Sequence, residues 1–342
     1  MTIDQFVEAK NKAGGLIVLL PKSLHNLPND TMENFFLLEK AMLTEDISIP
    51  VFFAKYDEDI DNIIQEISRS PNNPKQNSAL TEIFDKISAN GYQVSVTGPS
   101  HAAKKDSKIP IIQGELIPFK PVKTSEDGPS KLPVIIITTQ LKTFGITNDL
   151  APNYDATILL TLIEMFSKLY NHQQSSPKYR VIFVLHESGS LLNFQGAKKW
   201  LDTNTEDASI QNAEFALCLD SFADSLESIL MHVSKPPKEG TATFKFFEIL
   251  KKKAELYGGK ATEGLHKKIN LAETFHKWEH ERYSIKRISS FTLSSLRSHA
   301  DPIRTSIFSR NSPTSAVLEA DSELDDVILG NIETNTKILV SL

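Results

Sequence analysis

Short apolar runs separated by polar, Pro-containing stretches divide this chain into two regions. In the first, residues 15–20 and 49–53 are brief apolar runs bounded by Pro or polar residues, which predicts two strands. Between them, Met32, Phe35, Phe36, Leu38 and Met42 recur at helical spacing, predicting a helix over 31–44. Ile60, Ile63, Ile64 and Ile67 predict another over 57–67. Residues 69–79 read as a loop by composition, and 92–97 alternate like a strand.

A polar stretch at 121–133 opens the second region, where the two periodicities take turns. Strands are predicted at 134–138, 181–185, 215–219, 230–233 and 285–293, and helices at 155–170, 195–201, 243–257 and near 323–341. Strand–helix alternation of this kind implies an α/β fold with a mostly parallel sheet covered by helices on both faces. The predicted division is a region at 1–120 and a domain at 121–342. No repeat of solenoid length is present.

Composition narrows the function. With 37 Lys and Arg against 43 Asp and Glu, the net charge of −6 disfavours a nucleic-acid binder. The basic runs Lys251-Lys252-Lys253 and His266-Lys267-Lys268 read as solvated faces. A single cysteine, Cys218, excludes an internal disulfide and a Cys-rich zinc site but leaves the compartment open. No run approaches a membrane span, and the first residues lack a signal-peptide layout. Asn29-Asp30-Thr31 is a glycosylation sequon.

Chemistry in such sheets belongs at the carboxyl ends of strands. Asp220 closes the run 215–219 and is either a metal-ligand position or a turn cap; His299, two residues before Asp301, is either a ligand beside a carboxylate or a loop histidine. His276 and His280 stand four apart, but Lys277 occupies the place where a zinc protease carries its Glu. Ser188 follows a strand as a nucleophilic serine would, yet His186 and Ser190 stand where that turn needs glycines. There is no dinucleotide fingerprint and no phosphate-binding Walker loop.

Several runs carry a specific resemblance: 232–241 (HVSKPPKEGT), 266–273 (HKKINLAE), 278–282 (WEHER), 290–294 (SFTLS), 166–170 (FSKLY), 193–201 (NFQGAKKWL), 217–220 (LCLD), 49–54 (IPVFFA) and 91–94 (GYQV). They resemble, in order and at similar spacing, the nicalin family, nicastrin-like membrane glycoproteins of the endoplasmic reticulum. That family is in turn similar to zinc aminopeptidases of the transferrin-receptor type. The resemblance implies an aminopeptidase-like mixed sheet flanked by helices, with a protease-associated-like accessory region on the N-terminal side.

The active aminopeptidases hold two zinc ions through a His-x-Asp pair, a bridging Asp, a Glu-Glu pair, a further Asp and a final His. Carried onto this chain, the His-x-Asp positions are Gln140 and Lys142, and the Glu-Glu pair falls near Gly189 and Ser190, with Glu187 slightly early. Asp220 and His299 match the last two ligands. An ammonium at a ligand position repels a metal ion, and two matches of five do not hold a two-metal site.

The resemblance therefore implies no cofactor, no catalysis and a luminal scaffold or interaction domain of an endoplasmic-reticulum membrane complex that assists biogenesis of multi-pass membrane proteins, with a further link to receptor assembly. Its implied partners are a nodal modulator-like protein and a small multi-spanning membrane protein, with attachment through a span absent from this chain, which accordingly reads as a fragment. The alternative is a divergent zinc metallopeptidase using Asp220, His299 and one of Asp149, Asp155 or Glu187.

Overall fold

A computed structural model describes residues 2–20, 28–44, 47–69, 108–118, 132–141, 154–172, 177–204, 206–223, 228–258, 262–301, 304 and 322–341. Residues 70–79 of the loop predicted over 69–79, and the strand predicted at 92–97, together with Lys142 and Asp149, lie outside the described residues. The chain separates into two compact units, Met1–Ser107 and Lys108–Leu342.

In the first unit, β1 (Leu16–Leu20) pairs in parallel with β2 (Val51–Lys55). Helix α1 (Ile3–Lys12) opens on a capping box in which Thr2 and Gln5 satisfy each other's backbone N–H. Helices α2 (Asn29–Thr44) and α3 (Glu58–Arg69) match the predicted periodicities.

The second unit is built on seven strands: β3 (Ile111–Leu116), β4 (Val134–Gln140), β5 (Arg180–His186), β6 (Phe215–Leu219), β7 (Ile229–Val233), β8 (Thr262–His266) and β9 (Ser290–Ser294). Their order is β3-β5-β4-β6-β9-β7-β8. Four of the six pairings are parallel; β3–β5 and β7–β9 are antiparallel. Strands β6, β7 and β9 are buried at every position, as a sheet covered on both faces requires.

Alternation along the central strands feeds two cores. Ile137, Phe183, Leu217 and Phe291 point to one face, against α4 (Tyr154–Asn171), α7 (Ala242–Leu256) and α9 (Ser322–Val340). Ile136, Ile182, Val184 and Ala216 point to the other, against α5 (Gln195–Thr203) and α8 (His280–Ile285). The short α6 (Ala208–Gln211) leads into β6. No described helix is long and apolar enough to cross a membrane.

Three sequence expectations change. The strand predicted over 285–293 begins only at Ser290, because 280–285 form α8 and Arg287 then turns through φ 67°. Strands β3 and β8 carry no predictive apolar run, since each lies at a sheet edge and is largely exposed. Residues 111–116, placed by the sequence in the region 1–120, are a strand of the second unit's sheet.

Candidate functional site: a closed centre at the strand ends

The carboxyl ends of β4, β5 and β6 bring Gln140, His186 and Asp220 to one edge of the sheet. The turn after β6 is held from three sides. Asp155, at the start of α4, accepts the backbone N–H groups of Phe222 (2.9 Å) and Ala223 (2.8 Å) through Oδ1. Ser295 donates its backbone N–H and its hydroxyl to the Ser221 carbonyl, and Asn335 of α9 donates to the Phe222 carbonyl. Ser221 itself sits at φ 57°, so these clamps hold a conformation that an L-residue resists.

Asp220 is therefore presented rigidly, and what it meets is an arginine. The Arg304 Nε donates to Oδ2 at 2.8 Å, and Nη2 lies 2.8 Å from the same oxygen. Both side chains are 2% exposed. Arg304 Nη1 donates to the His299 carbonyl (3.0 Å), and Ser190 donates its hydroxyl to the Arg304 carbonyl (3.2 Å). The guanidinium also lies 4.3 Å from the Trp278 ring centroid, a cation–π contact, and the His232 imidazole stacks on that indole at 4.1 Å. The centre thus supplies its own cation.

A second buried hub lies beside it. Glu279 Oε1 accepts the Thr138 hydroxyl (2.9 Å) and contacts His186 Nε2 (3.0 Å). His280 Nδ1 meets the Thr292 hydroxyl at 2.9 Å. The Cys218 thiol, fully buried near Glu279 and Asp220, is pushed well above its ordinary range by burial first and those carboxylates next. Burial likewise pulls His232 down to about 4 and His280 to about 3, with the Arg304 charge adding to both.

The sequence-derived positions fare differently. Asp220 is at the strand end as expected, and His299 is brought near it, but only the His299 backbone carbonyl joins the cluster, through Arg304. Gln140 ends β4 and fills the space in front of Gly189: a Cβ at 189 would stand 1.7 Å from Gln140 Oε1. A side chain at that glycine would require Gln140 to move. Ser190 spends its hydroxyl on Arg304, and Asp155 spends an oxygen on the β6 turn. Among the described residues no group of three His, Cys, Asp or Glu is placed to hold a metal ion.

The remaining sequence candidates are explained by structure. His276 precedes α8 rather than sharing a helical face with His280. Ser188, at φ 107°, accepts the Gly196 N–H (2.7 Å) in the first turn of α5, so its hydroxyl is not free. Asn29 is the first residue of α2. Arg304, Trp278 and Glu279 were not foreseen as site residues. The one available signal for Arg304 was a lone cation in the otherwise uncharged run 302–308.

No protein-family profile matches the chain. Among curated proteins it is 34% identical over 343 residues to BOS complex subunit ncln of Danio rerio, covering 96% of this chain and 58% of that protein. It is 33% identical over 315 residues to BOS complex subunit NCLN of Homo sapiens, covering 89% and 54%, and 25% identical to nicalin of Caenorhabditis elegans, covering 92% and 57%. The chain spans just over half the length of these relatives. Among solved structures, it is similar to a zinc aminopeptidase from Bacillus subtilis (TM-score 0.43, 12% identity, 66% of this chain and 48% of that one) and to the LapA aminopeptidase of Legionella pneumophila (0.43, 10%, 62% and 50%). The α/β assignment rests on the strand order and pairing described above. By sequence, the chain is a relative of nicalin, the protein named as a BOS complex subunit, over nearly its whole length.

Proposed function

We propose that this chain is a non-catalytic interaction domain of a nicalin-like subunit, acting within a membrane complex of the endoplasmic reticulum on its luminal side and assisting multi-pass membrane protein biogenesis. The single observation that carries the non-catalytic part is the buried Asp220–Arg304 pair. A carboxylate that already holds a guanidinium at 2.8 Å has no need of a metal ion, and a second positive charge beside Arg304 would be repelled. Gln140 fills the space before Gly189, near the place where the aminopeptidase resemblance puts a catalytic carboxylate pair. The part concerning the complex draws on the relatives' names as BOS complex subunits.

The partners we propose are a nodal modulator-like protein and a small multi-spanning membrane protein, with Asn29 as a glycosylation site and the first unit in the place of a protease-associated accessory domain. Zinc content of the purified chain by elemental mass spectrometry, with an aminopeptidase assay in added zinc, tests the catalytic side. The expected result is well under one zinc per chain and no turnover. Stoichiometric zinc with turnover abolished by Asp220→Ala would make the chain a metallopeptidase. Affinity capture against the two proposed partners tests the other side, and failure of both to co-purify removes the complex.

A further inference from the structure

A cleft of about 250 Å³ opens beside the closed centre, between the ends of β7 and β8, the turn into α8 and the segment after β9. Trp278 and His232 form part of its lining, and Lys267, Arg297 and His299 line it too. The one carboxylate in the lining is Glu281, which accepts the Lys277 backbone N–H and is pushed upward, toward its neutral form, chiefly by burial.

Most cations around this cleft are paired, but among the described residues Lys267 makes no ion pair. The Lys267 ammonium is held below its ordinary range by burial and then by the neighbouring Lys277 charge. Lys277 takes Glu273 at 3.0 Å, and Arg297 reaches outward to Glu263 at 2.6 Å. An ammonium without a carboxylate partner at the mouth of a cleft is a ready contact for an anion. The volume is close to that of sites for small ligands and is too small for a folded partner.

We propose that this cleft binds a phosphate-type oxyanion, with Lys267 supplying the countercharge, Arg297 joining it by exchanging Glu263 for the anion, and Ser298 and His299 offering hydrogen bonds. Such an anion comes either from a soluble phosphorylated compound or from a lipid headgroup. The second source has a structural feature to itself. The loop between Lys267 and Trp278 carries Leu271 and Phe275, 79% and 62% exposed. It is tied down rather than collapsed: Asn193 donates to the Thr274 carbonyl (2.7 Å) and accepts the His276 N–H (2.9 Å). Apolar side chains held outward next to a basic cleft are the arrangement with which proteins meet an anionic bilayer surface.

The test is a titration of the full chain with inorganic phosphate at constant ionic strength, followed by tryptophan emission, since Trp278 lines the cleft. A saturable change is expected, weakened about tenfold or more by Lys267→Ala with Arg297→Ala. Lys245→Ala, on an exposed face of α7, should leave it unchanged, and an unaltered urea midpoint verifies that the paired variant is folded. No saturable response, a response that chloride reproduces, or one that the paired substitution leaves intact overturns the proposal. Co-sedimentation with phosphatidylcholine vesicles, with and without phosphatidylserine, separates the sources. Binding to the anionic vesicles that Lys267→Ala/Arg297→Ala and Leu271→Ser/Phe275→Ser each weaken assigns the headgroup. Phosphate binding without vesicle binding assigns a soluble ligand. Vesicle binding indifferent to Lys267 and Arg297 rejects the cleft. The proposal does not depend on the absence of catalysis, so zinc uptake by the chain would leave these outcomes unaltered.

Discussion

At the scale of single residues, one buried ion pair organises the site. A buried carboxylate at a strand end must be neutralised, and nature offers a metal ion, a proton or a basic side chain for the task. Here Arg304 does it, steered by Trp278 and by the His299 carbonyl. Removing one member of a buried pair leaves an uncompensated charge and costs about 3–5 kcal/mol, whereas removing both is far milder. Arg304→Met should therefore lower the urea midpoint sharply, and Arg304→Met with Asp220→Asn should recover much of the loss. If the paired variant is as unstable as the sum of the single ones, the two side chains are not coupled and the closed-centre account fails. Asp220 was legible because an apolar run ends on it. Arg304 was not, because the pairing spans residues 84 apart and no local pattern records it.

At the scale of elements, burial decided what could be read. β4, β5 and β6 are buried on both faces and appear as apolar runs; β3 and β8, at the edges, do not. The join between α8 and β9 shows a different limit. Residues 285–293 look extended by side-chain type, yet Tyr283 is fully buried on the second core and pulls its turn into a helix there. Arg287 at φ 67° then reverses the chain for β9. A non-glycine residue pays about 1–2 kcal/mol for that conformation. Arg287→Gly should accordingly raise stability by several tenths of a kcal/mol, the backbone relief being offset by extra freedom in the unfolded chain. A loss of more than about 1 kcal/mol in urea unfolding would show that the arginine side chain contributes something the turn geometry does not.

At the scale of the whole molecule, buried histidines couple the second unit's stability to pH. Unfolded imidazoles titrate near 6.5. In the fold, His232 and His299 are drawn down to about 4 and His280 to about 3. Between these values the unfolded chain binds more protons than the folded one, so stability rises with pH in that window. It is complete above about pH 6.5 and falls as the pH drops toward 4, with a slope of up to about 1.4 kcal/mol per pH unit for each fully buried histidine. His299, being partly exposed, contributes less. Urea unfolding from pH 7.5 to 4.5 measures the slope. His232→Phe, which retains an aromatic ring against Trp278, should flatten it; an unchanged slope would mean that His232 takes no part.

The sequence by itself determined the class of fold, the positions of the buried strands and of the long helices, and the kinship with nicalin. These are recorded in local periodicity and in runs of side chains that survive without reference to distant contacts. The seven-strand order, the edge strands and the unit boundary at Ser107 were decided only in three dimensions, since each depends on which strand pairs with which. The same holds for the state of the centre at the strand ends. Whether Asp220 faces a metal, a water or an arginine is a question of what a residue 84 positions away brings to it, and only the folded chain sets that distance.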